Sequence, residues 1–247
     1  MNIDLHILCF NESDIIRLVL RHYKKFCRNL YVYDNYSTDN SREIAKEEGA
    51  IVSLFGDKWF DDENNRQQKN KCWIGSDADF VICCDMDEVL FSHKWLNAYG
   101  KLPDQEGFKF KAISDYEKAS IFNTIGWQVM SDDMPKEDLL EVTNGFRFDN
   151  YSKNIIFSPK QITEINFNPG SHRIDPKGNV TYSDFTFHVL HYKHIGGVQR
   201  TIDRYRILNK RMSKENNRKG YGIHYKRSPG SLREEWNQRM SISKPLI

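Results

Sequence analysis

Two aspartates follow a buried-strand pattern in the first half of the chain. Asp85 and Asp87 come after the apolar segment 80–84 (FVICC) and are separated by one residue. Residues i and i+2 of an extended segment point to the same side, so both carboxylates can face one ligand. Mg²⁺ and Mn²⁺ bind one or two carboxylates and complete their coordination with water and phosphate oxygens. This spacing predicts a site for Mn²⁺ or Mg²⁺; the alternative is a solvated turn after a strand.

Polar residues also follow two other predicted strands, at 5–10 and 30–34. These residues are Asn11, Glu12, Asp34, Asn35, Ser37 and Asp39. Ligands of open α/β sheets bind outside the carboxyl ends of the strands, so we predict that these side chains surround one ligand. As an alternative, Asn11 with Asp14, and Asp39 by itself, cap the helices that follow them.

The elements that must position these residues alternate between strands and helices. Apolar periodicity predicts strands at 5–10, 30–34, 50–55 and 80–84 and helices at 13–26, 40–48 and 62–75. This order predicts an α/β fold with an open, mostly parallel, doubly wound sheet. After residue 90, a mixed or antiparallel part is predicted, with strands at 108–112, 147–148, 154–157 and 185–190. A basic amphipathic helix at 198–212, a polar loop at 213–230 and a short helix at 232–240 follow.

The length and composition of the chain exclude several protein classes. Its 247 residues suit one α/β domain with a short extension, and 39% hydrophobic with 28% charged residues exclude a disordered chain. No apolar run approaches the roughly 20 residues of a membrane span. The N-terminal segment lacks the pattern of a signal peptide. The five cysteines show no CxxC spacing, which predicts buried, reduced thiols in a cytoplasmic protein.

The charge of the chain is unevenly distributed. Residues 193–247 carry 14 Lys and Arg against 4 Asp and Glu, whereas residues 1–192 carry 22 against 30. The basic C-terminal region has three interpretations: a solvated helix that covers the sheet, a peripheral contact with an anionic membrane, or a lid that contacts the phosphates of a ligand. Its few interleaved aromatic residues argue against a nucleic-acid partner.

Three segments together resemble family 2 glycosyltransferases. The segment 34–41 (DNYSTDNS) is similar to their DDGSTDGT-type segment, and 10–12 (FNE) is similar to the Tyr-Asn-Glu after their first strand. The segment 84–91 (CDMDEVLF) resembles their Asp-x-Asp motif, in the form found in a branch related to family 92 enzymes. The resemblance covers residues 3–95 and continues more loosely through 150–210.

The resemblance implies a GT-A-like catalytic domain at 1–195, with a nucleotide-binding half at about 1–95 and an acceptor-binding half at about 96–195. A basic helical extension at 196–247 follows it. The implied activity is that of a metal-dependent, inverting glycosyltransferase of the hexosyltransferase type, in polysaccharide biosynthesis. The donor would be a nucleotide-diphosphate sugar built on UDP or GDP, and the acceptor a glycan or lipid-linked molecule. A nucleotidyltransferase that acts on a sugar phosphate and a non-catalytic binding module with a basic tail are the alternatives.

The resemblance also implies roles for four residues. Asp34 would lie near the base or ribose of the donor, Asp85 would approach the ribose or the metal, and Asp87 would be the principal metal ligand. His191 would be a third ligand of the metal; alternatively, it is a hydrogen-bonded structural histidine. A metal held in this way would neutralise the charge that develops on the departing diphosphate.

Other residues are candidates for contacts with the acceptor and for proton transfer. Trp127 is a candidate platform for a sugar ring, with core packing as the alternative, and His172 is a candidate contact with the acceptor or the metal. An inverting transfer needs a general base, for which Asp132 and Asp133 are candidates; the alternative is a surface turn. Four lysines are candidate phosphate contacts, or else lie on solvated faces: Lys69, Lys71, Lys153 and Lys160.

Overall fold

The central feature of the fold is one mixed β-sheet. The computed structural model describes residues 1–92 and 118–246, and ten of the strands in those residues belong to this sheet. The strand predicted at 108–112 lies outside the described residues.

The first part of the chain forms the parallel region of the sheet. Its strands are β1 (Ile3–Cys9), β2 (Asn29–Asp34), β3 (Ile51–Leu54) and β4 (Phe80–Asp85), and its helices are α1 (Ile16–Lys24), α2 (Ser41–Glu47) and α3 (Asp62–Lys71). The strand order is β3-β2-β1-β4, and all three pairings are parallel. Cys9 lies opposite Asp34 and Leu8 lies opposite Asp85, so three strand ends meet at one edge. The predicted open, mostly parallel α/β sheet is confirmed.

The central position of β4 follows from its apolar sequence. Ile82 and Cys84 pack in the larger core cluster, which includes the apolar face of α1. Val81 and Cys83 point the other way, into a second cluster around Trp73. A strand that is covered on both faces is apolar throughout, as in the central strands of parallel sheets.

The second part of the chain extends this sheet in both orientations. Its strands are β5 (Glu88–Phe91), β6 (Ile121–Met130), β7 (Asn144–Arg147), β8 (Ile156–Phe157), β9 (Ile162–Glu164), β10 (Lys177–Gly178), β11 (Tyr182–His194) and β12 (Lys244–Pro245). β8 lies antiparallel between β4 and β6, and β7 pairs antiparallel with β6 and β12. β11 runs parallel to β6 and antiparallel to β5, while β9 and β10 form a separate pair. The predicted mixed part is confirmed, and β11 is longer than expected.

Three helices follow β11: α4 (Gly197–Arg211), α5 (Lys214–Lys219) and α6 (Pro229–Ile242). The prediction of a loop throughout 213–230 is wrong, because α5 occupies part of that segment. The side chain of Ser213 caps α5 by accepting the backbone N–H of Asn216, and its hydroxyl donates to Asp61 at 2.5 Å. A distant partner therefore stabilises a helix that the local composition does not indicate.

All five cysteines are free; Cys72 is half-buried, and the other four are buried. The Sγ atoms of Cys72 and Cys83 lie 3.8 Å apart. Among the helices of residues 1–92 and 118–246, none has the length and apolar character that a membrane span requires.

Candidate functional site

The strand ends open into a cavity of about 480 Å³. Residues after β1, β2 and β4 line it, together with residues of α3, the turns 149–151 and 169–171, β11 and the C-terminal helices. Eight of the predicted site residues line the cavity: Glu12, Asn35, Lys69, Asp85, Asp87, Lys153, His172 and His191. Nine others, all in the described part of the chain, do not: Asn11, Asp34, Ser37, Asp39, Lys71, Trp127, Asp132, Asp133 and Lys160.

Asp85 sits at the end of β4 between two buried lysines. Its Oδ1 lies 2.8 Å from the Nζ of Lys69, and its Oδ2 lies 3.7 Å from the Nζ of Lys153. Lys153 also forms an ion pair with Glu88, whose second oxygen accepts the backbone N–H of Asp85 at 3.0 Å. Burial on its own lowers the pKa of Lys69, but the carboxylates of Asp85 and Glu88 raise it above its ordinary value. Lys69 is therefore positively charged although it is buried.

Asp87 faces an arginine from α4. Its Oδ2 lies 3.3 Å from Nη2 of Arg204, and the two Nη atoms of Arg204 each donate to an oxygen of Glu12 at 2.6 Å. Burial alone raises the pKa of Asp87, but His191 and Arg204 outweigh burial and hold this pKa below its usual range. One arginine therefore joins the residue after β1 to the residue after β4.

These contacts correct one step of the sequence reasoning. The sequence pattern assigns the countercharge of the aspartates to a divalent cation, because buried carboxylates need one. In the structure, Lys69, Lys153 and Arg204 already provide positive charge to the carboxylates. The chain itself is thus the first source of countercharge, and a metal would add to it.

His191 stands beside Asp87 in the form that binds metals. Its Nε2 lies 3.7 Å from Oδ1 of Asp87, and its ring stacks on Tyr151 with 3.9 Å between centroids. Burial lowers the pKa of His191 to about 3, so the imidazole is neutral at pH 7. Its Nδ1 is buried and has no hydrogen-bond partner among the described residues. Neutral imidazole is a common metal ligand.

The donor set fits a metal that is shared with a phosphate ligand. In the described residues, no group of three or more His, Cys, Asp or Glu side chains is placed to hold a metal without other ligands. Asp87 and His191 supply one carboxylate and one imidazole, which leaves the remaining positions to other ligands. Mg²⁺ is usually bound in this way, through one or two carboxylates with water and substrate phosphates.

Four polar residues of the loops after β1 and β2 do not line the cavity and instead connect the two loops: Asn11, Asp34, Ser37 and Asp39. Ser37 accepts the backbone N–H of Asn11 at 2.9 Å, and its own backbone N–H donates to Asp34 at 2.9 Å. The side chain of Asn11 accepts the backbone N–H of Thr38 at 2.7 Å, and it does not cap α1. Asp39 accepts from the backbone N–H groups of both neighbouring segments, Ser13 and Ser41. Backbone donors therefore engage one oxygen or more of each of these side chains, whereas the second oxygen of Asp34 is buried and has no hydrogen-bond partner among the described residues.

Asn35 lines the cavity with its polar atoms already engaged. Arg211 donates to its backbone oxygen and to its Oδ1, each at 2.9 Å, and its Nδ2 donates to the backbone oxygens of Phe55 and Asp57. The guanidinium of Arg211 also lies 3.4 Å from the ring centroid of Phe10. Asn35 therefore fixes the wall at this end of the cavity.

Trp127 and the two candidate bases lie elsewhere. The Nε1 of Trp127 donates to Nδ1 of His188 at 2.7 Å, and the ring packs against the main core, as in the core-packing alternative. Asp132 and Asp133 are exposed in the turn after β6, where the backbone oxygen of Asp133 accepts the N–H of Gly196. That bond ties the turn to the start of α4 and leaves both carboxylates facing solvent. The structure does not bring these three residues to the cavity. His172 does line the cavity, and its Nδ1 lies 2.6 Å from the backbone oxygen of Asn150.

Several cavity residues are not predicted by the sequence analysis, and Arg204 and Lys193 of the basic C-terminal region are two of them. A signal for Arg204 exists, because it lies between Ile202 and Tyr205, two buried positions of α4. A charged residue at the border of an apolar helix face is placed to reach a buried partner. No comparable sequence signal marks Lys193.

Comparisons with known proteins give structural neighbours only. No protein-family model and no curated protein match this sequence. Glucosyl-3-phosphoglycerate synthase from Mycobacterium tuberculosis, in complex with Mn²⁺, UDP and glucosyl-3-phosphoglycerate, has a TM-score of 0.32 and 16% identity over 51% of this chain and 44% of that chain. The same enzyme with Mg²⁺ and UDP has a TM-score of 0.33 and 16% identity over 51% and 43%. A mycobacterial protein has a TM-score of 0.34 and 13% identity over 51% and 41%. The chain spans less than half the length of each.

Proposed function

We propose that this chain is a metal-dependent glycosyltransferase that moves a sugar from a nucleotide-diphosphate donor to a glycan or glycoconjugate acceptor. One observation carries the proposal. Asp85 and Asp87 lie in one cavity with Lys69, Lys153 and Arg204, at the carboxyl ends of parallel strands. The cavity thus offers cations for a diphosphate and carboxylates for a divalent metal in one place.

The motifs at 34–41 and 84–91 support the finer assignments. Their resemblance favours a GT-A-like fold and membership of glycosyltransferase family 2, in a branch related to family 92 enzymes. It also favours an inverting transfer and a UDP or GDP donor. In this proposal residues 1–95 bind the nucleotide, residues 96–195 bind the acceptor, and residues 196–247 close the cavity. We also propose a cytoplasmic location, a peripheral membrane contact through the basic region and no nucleic-acid partner.

The residues of the chain supply much of what the departure of a nucleoside diphosphate requires. Negative charge develops on the leaving diphosphate, and cations that are already in place lower the free energy of that state. Lys69, Lys153 and Arg204 are held in place by the carboxylates that they contact. Bound at Asp87 and His191, Mn²⁺ or Mg²⁺ would supply further neutralisation of the diphosphate.

The proposal is tested by the binding of nucleotides. Thermal unfolding is followed with UDP, GDP, CDP or dTDP, each with Mn²⁺, Mg²⁺ or EDTA. A ligand at 100 times its dissociation constant adds about 2.7 kcal/mol, which for a chain of this size raises Tm by about 5–11 °C. We expect this shift with one nucleotide, only with a metal, and not in Asp87→Asn. The matched control is Asp203→Asn, on the exposed side of α4, which keeps the shift.

The outcomes separate the proposal from its alternatives. Turnover of a nucleoside triphosphate with release of pyrophosphate would replace it with a nucleotidyltransferase. Absence of metal-dependent binding for all four nucleotides would favour the non-catalytic binding module. An Asp87→Asn variant that folds, as shown by circular dichroism, and keeps the full metal-dependent shift would refute the role of the carboxylate. Release of UDP or GDP from a sugar nucleotide would support the proposal directly.

A further inference from the structure

The cavity has a second wall whose charge differs from that of the strand ends. Among the described lining residues, the wall at the strand ends and α3, called here the strand-end wall and joined by Arg204 of α4, combines four cations with four carboxylates: Arg66, Lys69, Lys153, Arg204, Glu12, Asp62, Asp85 and Asp87. The wall made by β11, the segment 223–227 and α6, called here the C-terminal wall, has Lys193, Arg227 and Arg239 against one carboxylate, Glu235. In the part of the chain that the structure describes, the C-terminal wall therefore has two more cations than carboxylates.

Lys193 is the cation of this wall that lacks a carboxylate partner in the described residues. Its Nζ lies 5.0 Å from the ring centroid of Tyr205 and 4.8 Å from that of Tyr225, and 3.4 Å from the hydroxyl of Tyr225. It follows His191 by two residues on β11, and both side chains line the same cavity. The two rings hold the ammonium group in place without an ion pair among the described residues, and its charge helps to lower the pKa of Asp87.

Arg227 and Arg239 share a single acid. Both form ion pairs with Glu235 on α6, the latter at 2.6 Å. With Lys193, the wall has three positive charges and one negative charge, which favours a ligand with close to two negative charges. A phosphate monoester carries about −1.5 to −2 at pH 7, whereas a carboxylate carries one. Charge-assisted hydrogen bonds to phosphate oxygens are among the stronger polar contacts.

We propose that the C-terminal wall binds a phosphate group on the acceptor, with Lys193 as the residue that determines this specificity. The inference rests on the proposed function, since it names the acceptor of that reaction as a phosphorylated molecule. The donor diphosphate lies in this scheme at the strand-end wall, and the acceptor phosphate lies at Lys193. The two anions then occupy neighbouring parts of one cavity, since Lys193 and the Asp87 partner His191 lie on the same strand, and the sugar is transferred between them.

The test uses inorganic phosphate as the probe, on protein whose donor site is filled with UDP and Mg²⁺. Thermal unfolding is measured at constant ionic strength with phosphate or with acetate. We expect added stabilisation from phosphate and none from acetate. Lys193→Met is expected to weaken phosphate binding by about tenfold or more, because a hydrogen bond to a charged group is lost. Lys193→Arg retains binding, and so does the control Lys210→Met, at an exposed position of α4 outside the cavity.

Other results would overturn the inference. Phosphate binding that is equal in wild type and folded Lys193→Met protein would remove Lys193 from the site. A loss of UDP affinity larger than the loss of phosphate affinity would place Lys193 at the donor diphosphate instead. Acetate that stabilises as well as phosphate would contradict the preference for a phosphate. Binding of phosphate that depends on Lys193 in protein that binds no UDP would support the anion site while the proposed glycosyltransferase fails.

Discussion

Replacement of Arg204 with methionine tests the contact that joins α4 to the strand ends. Arg204 donates to both oxygens of Glu12 at 2.6 Å and lies 3.3 Å from Asp87. The side chains of Arg204 and Glu12 are only 18% and 6% exposed. Removing one partner of a buried ion pair costs about 3–5 kcal/mol, because the other charge stays buried without compensation. For a protein of this size, we expect Tm to fall by about 6–20 °C.

The matched control is Arg206→Met on the same helix. Arg206 pairs with Asp203 at the surface, where the two side chains are 58% and 53% exposed. Exposed pairs contribute about 0–1 kcal/mol, so this variant is expected to unfold close to the wild type. Urea unfolding followed by circular dichroism measures both variants, and thermal unfolding provides Tm. A loss in Arg204→Met that is no larger than the loss in Arg206→Met would refute the reasoning.

A second substitution separates lost charge from lost packing. In the Arg204→Met background, Glu12→Gln removes the uncompensated charge, so part of the stability is expected to return. The effects of residues in direct contact are not additive, and the deviation measures their interaction. Additive losses would show that Arg204 stabilises the fold through packing alone. The cavity wall would then be held by the apolar residues of α4 and not by this ion pair.

Two further predictions concern the walls of the cavity and its surroundings. Gly126→Ala places a Cβ 2.1 Å from the carbonyl carbon of Tyr151. We therefore expect this variant to be less stable by about 1–3 kcal/mol in urea unfolding and to bind the nucleotide more weakly. An unchanged free energy of unfolding would contradict this packing. Burial alone raises the pKa of Cys72, but hydrogen bonds, with Cys83 first, hold it below that of an ordinary thiol. Alkylation of Cys72 by iodoacetamide is therefore expected to reach half its maximal rate at a pH below about 8.5, the pKa of a free thiol. A midpoint at or above that value would contradict this prediction.

The sheet and its acidic edge were predictable because their signals are local. Apolar strands followed by polar residues fix the direction of each strand, and parallel pairing then brings Glu12, Asp85 and Asp87 to one edge. Both aspartates line the same cavity as expected, but Met86 and Asp87 form a turn between β4 and β5, so the alternation of an extended segment is not what places them there. The sheet and its acidic edge could therefore be predicted without knowledge of side-chain contacts between distant segments.

The rest of the site depends on contacts that the sequence does not display. Arg204 reaches the cavity wall through its ion pair with Glu12, which lies 192 residues away in the chain. The helix α5 forms in a polar segment because Asp61 and Asp62 bind Ser213 and Asn216. The loop residues Asn11, Asp34, Ser37 and Asp39 have types that suit ligand binding and backbone bracing equally, and only the geometry distinguishes the two.

The arginines of α4 have a consequence for the order in which the chain folds. Arg200 and Arg204 bind Asp14 and Glu12 across 186 and 192 residues of sequence. Closing such long loops costs more conformational entropy than forming local contacts, and contacts of high sequence separation slow folding. The parallel strands β1 and β2, which are joined through α1, can therefore pair well before α4 arrives. During refolding, nucleotide binding is expected to appear after the sheet signal, as the last property that the chain acquires.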